Sequence, residues 1–202
     1  MLLNLNYIAA YLFPGTVWRI PNSKSEVYIT FDDGPNPETT PFILKTLKDF
    51  NAKATFFCIG KNVDRYPELY YEIINQGHSI GNHTYSHLKG WKTDNQQYFD
   101  DIDLAAQMID SNIFRPPYGR IKFSQIKKLK HDYKLIFWTI LSYDYLETIT
   151  PEKCLKNVIP RIKAGNIVVF HDSQKAFPRM SYVLPKILEF AKKNSLVCCP
   201  IK

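Results

Sequence analysis

Apolar runs of strand length in this chain end abruptly on ionisable residues, and that pattern restricts the fold more than any other feature. Residues 26–31, Glu-Val-Tyr-Ile-Thr-Phe, run into Asp32, Asp33 and Gly34, and residues 166–170, Asn-Ile-Val-Val-Phe, run into His171 and Asp172. Between them, 54–59 closes on Gly60, 78–81 leads toward His83, and 135–140 precedes Asp144. Short apolar runs rich in β-branched and aromatic residues, with turn signals at their ends, read as buried strands. Helical spacing fills the intervals at 37–50, 66–76, 94–109, 123–130, 151–163 and 184–193. Phe42, Ile43, Leu44, Leu47 and Phe50 share one face of the first of these, and Gly77 closes the second as its C-cap.

Strands alternating with helices predict an α/β fold, a parallel sheet covered by helices. Some six such units fit in 202 residues, enough for one sizeable core and short for two. With no linker, repeat or low-complexity stretch, residues 1–202 read as a single domain, with 1–25 a short N-terminal extension packing on it. Spacing alone does not separate a barrel from an open doubly wound sheet. Either fold gathers polar clusters at the C-terminal strand ends, where such proteins place their chemistry.

The bulk properties narrow the partners. The formal charge of +7 comes from scattered lysines, with no basic block, so it predicts a solvated surface and no nucleic-acid partner. Cys58, Cys154, Cys198 and Cys199 have no CxxC spacing, which points to a reducing compartment. Residues 1–13 are mostly apolar, but no Lys or Arg precedes Arg19, so the basic start of a signal peptide is missing. The stretch is also too short to span a bilayer. The expected location is cytoplasmic or membrane-associated, with at most a weak membrane-surface contact through the N-terminus, and the expected state is a monomer.

Two adjacent carboxylates and two imidazoles four residues apart suggest a metal site with a base beside it. His83 and His87, placed on one helical turn, would face the same way. With Asp33 they make a two-histidine, one-carboxylate set that leaves a position open, the mark of a catalytic site. Asp32 is then free to move a proton. Arg115, in the proline-stiffened loop 114–119, is placed to hold Asp32 through bidentate hydrogen bonds. His171 is a candidate general acid and Asp144 the carboxylate that would keep it protonated. His78 and His131 have no such setting and are assigned to structure or surface.

These residues resemble the motifs of the NodB-homology polysaccharide deacetylases, carbohydrate esterase family four. Thr30-Phe31-Asp32-Asp33-Gly34 matches the first motif, His83-Thr84-Tyr85-Ser86-His87 the second, and Arg115-Pro116-Pro117-Tyr118-Gly119 the third. His171 matches the histidine of the fifth, with Val169 in place of its leucine. The resemblance implies a distorted (β/α) barrel of about seven parallel strands and a metal-dependent hydrolase that removes N-acetyl groups from an amino-sugar polymer or oligomer. It implies Asp32 as catalytic base, Asp33, His83 and His87 as metal ligands, and Arg115 as orienter of the base. It further implies His171 as catalytic acid, Asp144 as its tuner, and the backbone N–H of Tyr118 as an oxyanion donor. Zn²⁺ is the expected ion, with Co²⁺ or another divalent ion able to replace it, and Pro116, Tyr118 and Tyr145 are expected to meet an N-acetylated glycan. Tyr85, Trp91 and Phe177 are further candidates to stack on sugar rings. In the fourth motif the chain departs, with Tyr145 in place of the usual Trp and Leu141 where a further Asp is common. The alternatives are a deacylase of a lipid-linked sugar or small non-sugar amide, and a non-catalytic sugar-binding relative.

Overall fold

A computed structural model describes residues 13–21 and 24–202. In chain order its elements are β1 (Thr16–Val17), β2 (Glu26–Asp32), α1 (Thr40–Asp49), β3 (Thr55–Cys58), α2 (Gly60–Arg65), α3 (Pro67–Asn75), β4 (Ser79–Asn82), α4 (Asn95–Ala106), β5 (Ile113–Phe114), α5 (Phe123–Leu129), β6 (Lys134–Ile136), β7 (Ile140–Leu141), α6 (Pro151–Val158), β8 (Ile167–His171), α7 (Phe177–Lys193) and β9 (Val197–Cys198). The first eight strands form one parallel sheet in the order β1-β6-β5-β4-β3-β2-β8-β7, and β9 pairs with the start of β2. Helices surround this curled sheet. That is the distorted barrel expected, with one more strand in the sheet than anticipated. Among the described residues no helix is long and apolar enough to cross a membrane.

Alternation along the central strands divides the interior into two layers. Val27, Ile29 and Phe31 of β2, with Val168 and Phe170 of β8, face outward into the layer shared with the helices. Tyr28 and Ile167 face inward with Phe57, Ile113 and Ile136. Thr30 and Asp32 fall on that same inward face, and so do Val169 and His171, their register partners. The period of two therefore delivers the ionisable ends of both strands into the mouth of the barrel.

Four expectations change. The pair His83 and His87 is not on a helix: β4 ends at Asn82 and the chain continues as a loop, with Thr84 and His87 at positive φ. Side chains replace the helical hydrogen bonds there. Asp101 Oδ2 accepts the N–H groups of Tyr85 and Ser86 at 3.0 and 2.9 Å, and Thr84 Oγ1 accepts that of Leu88 at 3.1 Å.

The run 135–140 is two strands and not one, because Phe137 to Thr139 leave the ladder; Phe137 N–H bonds to Val17 O at 2.7 Å and Thr139 N–H to Ile167 O at 3.0 Å. The last helix starts at Phe177 and not at residue 184, running through Pro185. An interior proline costs about 3 kcal/mol. Met180, Val183, Leu184, Ile187 and Leu188 are all buried along this helix, and each such burial contributes about 1.5–3 kcal/mol, so packing outweighs the proline. The helix predicted over 151–163 likewise ends early, with a 3₁₀ turn over Ile159–Arg161.

Of the extension, residues 13–21, 24 and 25 are described, whereas 1–12, with the expected membrane-surface contact, and 22–23 lie outside the described residues. In the described part, β1 pairs with β6, Phe13 stacks on Phe123 at 4.9 Å, and Trp18 stacks on Phe137 at 4.4 Å. All four cysteines are free, three of them buried.

Candidate active site

A cavity of about 390 Å³ opens at the C-terminal strand ends, lined by Asp32, Asp33, His83, His87, Tyr118, Tyr145 and His171 among others. Asp32 and His171 are register partners on adjacent parallel strands. The sheet itself thus sets their separation. Asp32 is held from beneath by Arg115, whose Nη1 donates to Asp32 Oδ1 at 2.7 Å and to Thr30 Oγ1 at 2.7 Å. Its Nε donates to Ile136 O at 3.2 Å and its Nη2 to Phe137 O at 3.1 Å. The guanidinium is wholly buried and lies 4.0 Å from the centroid of the Phe57 ring. Desolvating such a group costs several kcal/mol, which only full satisfaction of its donors offsets. The expected bidentate bond to Asp32 is not made. A single donor reaches the carboxylate, because the two carbonyls where the run 135–140 breaks take the others.

Asp33, His83 and His87 converge. Asp33 Oδ1 lies 3.8 Å from His83 Nε2 and 3.2 Å from His87 Nε2, and this buried oxygen has no hydrogen-bond donor. His83 Nδ1 sits 2.6 Å from Arg115 O. A carbonyl can only accept, so Nδ1 carries the proton and Nε2 turns its lone pair toward Asp33. Burial pushes the pKa of His83 down to about 3 and that of His87 to about 4, so both rings are neutral at pH 7. Burial also pushes the Asp33 pKa up, against the opposing pull of His171 and His87. Three acceptors facing one point fit a cation. Ligand atoms 2.0–2.1 Å from a tetrahedral ion lie about 3.3 Å apart, close to the spacing of Asp33 and His87. Asn62 Nδ2 fixes the turn by donating to Asp33 O at 2.7 Å, and Asp33 itself has φ 79°.

His171 is arranged for the opposite state. Asp144 Oδ1 faces its Nδ1 at 2.7 Å, and Asp144 Oδ2 accepts its backbone N–H at 2.8 Å. Burial disfavours the imidazolium, but the charge and hydrogen bond of Asp144, aided by Asp33 and Asp32, raise its pKa to about 9. Asp144 is itself wholly buried, and its carbonyl is anchored by Arg179 Nε at 2.5 Å. Nδ1 is engaged, so Nε2 is the nitrogen left to deliver a proton.

Tyr118 caps the far wall at φ 60°, its ring 4.6 Å from that of His87. The turn's backbone bonds are donated by Gly119 and Arg120. Tyr145 lines the cavity edge-on to His171 at 4.9 Å. Pro116 does not line it; this residue is buried beneath the loop, where its ring stiffens the turn. Tyr85, Trp91 and Phe177 do not reach the cavity either. Trp91 Nε1 bonds to Ile121 O at 2.7 Å, Phe177 packs edge-on against Phe42, and the Tyr85 ring covers Gly60.

Sequence reasoning missed several lining residues: Lys89, Arg120, Trp138 and Lys175. It also missed Asp172, which accepts from Thr39 and from Thr40, the latter at 2.5 Å, and whose N–H bonds to Asp32 O at 2.7 Å. Asp172 thereby ties β8 to the turn that carries Asp33. Its position directly after His171, on the opposite face, was the one available signal.

The polysaccharide deacetylase family profile matches residues 19–134, which include Asp32, Asp33, His83, His87 and Arg115. The chain belongs to the polysaccharide deacetylase family. Two relatives from Bacillus cereus, each a peptidoglycan-N-acetylglucosamine deacetylase, are 34% identical to this deacetylase-family chain. One aligns over 171 residues, 81% of the chain and 60% of the relative. The other aligns over 185 residues, 88% of the chain and 86% of the relative. The chain thus spans less than two thirds of the first and most of the second. A solved peptidoglycan N-acetylglucosamine deacetylase, bound to 4-naphthalen-1-yl-N-oxidanyl-benzamide, superposes with a TM-score of 0.89 at 29% identity, covering 96% of this chain and 94% of its own. Family and fold are those the motifs imply.

Proposed function

We propose that this polysaccharide deacetylase hydrolyses the N-acetyl group of an amino sugar within a glycan, and that peptidoglycan N-acetylglucosamine is the substrate to test first. The observation that carries the reading is the pairing of Asp32 and His171 across one strand register, with Asp33, His83 and His87 converging beside them. A binding module has no use for a carboxylate held by a buried arginine beside an imidazole held by a buried carboxylate. The named activity of the two Bacillus cereus relatives supports the same reading.

Asp33, His83 and His87 would hold the divalent ion, Zn²⁺ in this reading. Bound there, it would supply Lewis acidity, lowering the pKa of water and polarising an acyl carbonyl. Asp32, held by Arg115, takes a proton from the attacking water as the new C–O bond forms at the acetyl carbon. The Tyr118 N–H donates to the oxygen on which charge develops; one such donor contributes about 3–4 kcal/mol in studied enzymes. His171 Nε2 passes its proton to the sugar nitrogen as the C–N bond breaks. Acetate and a free amino sugar leave, and solvent returns a proton to His171 and takes one from Asp32.

The experiment measures acetate release from N-acetylglucosamine oligomers and from peptidoglycan glycan strands. It uses chelator-stripped protein reloaded with Zn²⁺ or Co²⁺, beside Asp32→Asn. Release that needs the metal and is lost in the variant supports the mechanism. Release that survives Asp32→Asn at full rate overturns the role of Asp32, and absence of both metal binding and release overturns the site.

A further inference from the structure

Lys89, Arg120 and Lys175 line the same cavity as the acid and base, yet among the described residues none of the three forms an ion pair with a carboxylate. They come from different loops. Lys89 follows β4 and Arg120 follows β5, whereas Lys175 follows β8 on the other side of the Asp32–Asp33 turn in the sheet order. Two of them are held in place by aromatic faces. Lys89 Nζ lies 4.5 Å from the centroid of the Tyr118 ring, and the Arg120 guanidinium lies 4.4 Å from that of Trp91. Trp91 is in turn fixed by its bond to Ile121 O. A cation over an aromatic ring keeps its N–H donors free for a second partner.

The acids deeper in the cavity do not absorb this charge. Asp32 is paired with Arg115 and Asp144 with His171. Asp33 remains, and it belongs to the cation site. The mouth is therefore positive on two sides and its floor is internally balanced. Lys89 is half-buried and Arg120 and Lys175 are exposed at the rim; a neutral N-acetylated oligomer leaves all three cations unmatched, which a substrate bearing oxyanions would complement.

We propose that Lys89, Arg120 and Lys175 form an anion subsite that selects glycans carrying a carboxylate or phosphate on a sugar adjoining the one that is deacetylated. The inference rests on the deacetylase reading for its location and deepens it by naming the substrate class.

The test compares kcat/KM for three oligomers of equal length: neutral N-acetylglucosamine, the same backbone with free carboxylates on alternate sugars, and the same backbone with a phosphate monoester. Wild type is set beside the triple variant Lys89→Gln, Arg120→Gln, Lys175→Gln, and binding of each oligomer is followed by calorimetry at low and high salt. Wild type should prefer an anionic oligomer by about tenfold at low salt, three solvent-accessible charges each adding a factor of about two, and added salt should erode that preference. The triple variant should bring the ratio close to one. Which anionic oligomer gains more identifies carboxylate or phosphate as the ligand. Equal kcat/KM on all three oligomers with wild type, or a ratio unmoved in the triple variant, overturns the subsite and leaves the deacetylase reading standing. Salt-sensitive binding of anionic oligomers without acetate release from any oligomer keeps the subsite and overturns the deacetylase reading.

Discussion

Asp144→Asn removes one charge while keeping the shape of a wholly buried side chain. The carboxylate is the main support for the His171 imidazolium, whose pKa stands at about 9 against an ordinary 6.5. Burial, the strongest influence on that ring, acts the other way. With Asp144 neutral, the pKa of His171 should therefore fall below 6.5. At pH 8 a group of pKa about 9 is about nine-tenths charged, whereas one below 6.5 is charged at most about 3% of the time. The share of enzyme able to donate a proton drops about 30-fold, and the alkaline limb of the rate profile moves from near 9 to below 6.5. The assay is acetate release from pH 5 to 10, with the His171 ring titrated in parallel by NMR. The linked stability has a definite sign. A raised histidine pKa stabilises the folded state fully below pH 6.5, and that stabilisation is lost as pH rises through about 9. The melting temperature of wild type should decline over that window and that of the variant should not. An alkaline limb that stays near 9 in Asp144→Asn would refute the assignment of His171 as the acid tuned by Asp144.

Protons compete for His83 and His87 only near their lowered pKa values of about 3 and 4. The two imidazoles should accordingly cause no loss of Zn²⁺ affinity, measured against a competing chelator, between pH 8 and about 5; a decline beginning at 6.5 that persists in Asp33→Asn would contradict the neutral, pre-oriented ring pair. Arg115→Met strands Asp32, which is 4% exposed, without its cation. Breaking a buried pair in this way costs about 3–5 kcal/mol, to be read from urea unfolding, and a loss under about 1 kcal/mol would mean the pair is not buried as described. Gly34→Ala places a Cβ 2.2 Å from Asp172 Oδ2. Overpacking of this kind costs about 1–3 kcal/mol, and because the displaced turn carries Asp33, Zn²⁺ affinity should fall with stability; unchanged affinity would show that the turn can yield elsewhere.

How much of this was legible in the sequence depends on whether a residue's role is local. The ends of β2 and β8 were readable, because strand periodicity fixes which face Asp32 and His171 occupy. That Asp33, His83 and His87 would converge was readable from residue type, but the geometry was not. The spacing of His83 and His87 suggests a helical turn, and only Asp101, from a distant helix, reveals a loop held by side chains. The split of 135–140 was hidden for a similar reason, since its broken ladder feeds carbonyls to Arg115, more than twenty positions earlier. Pro116 and Tyr145 had equal claims as substrate contacts, and burial separated them. The rim cations were invisible because lysine and arginine on loops carry no periodic signal.

Arg115 acts twice. Its side chain holds Asp32, the proposed base, and its carbonyl orients the ring of His83, a proposed metal ligand. Loop movement at this one residue therefore alters proton abstraction and ion affinity together, so the two properties cannot be adjusted separately by changes there. A homologue with a displaced loop would lose both functions in a single step, and restoring the arginine alone would recover neither until the carbonyl also returned to its place. In directed evolution, selection for a different metal would draw compensating changes into the loop around Asp32, and metal content would have to be measured before any rate lost at position 115 could be assigned to the base.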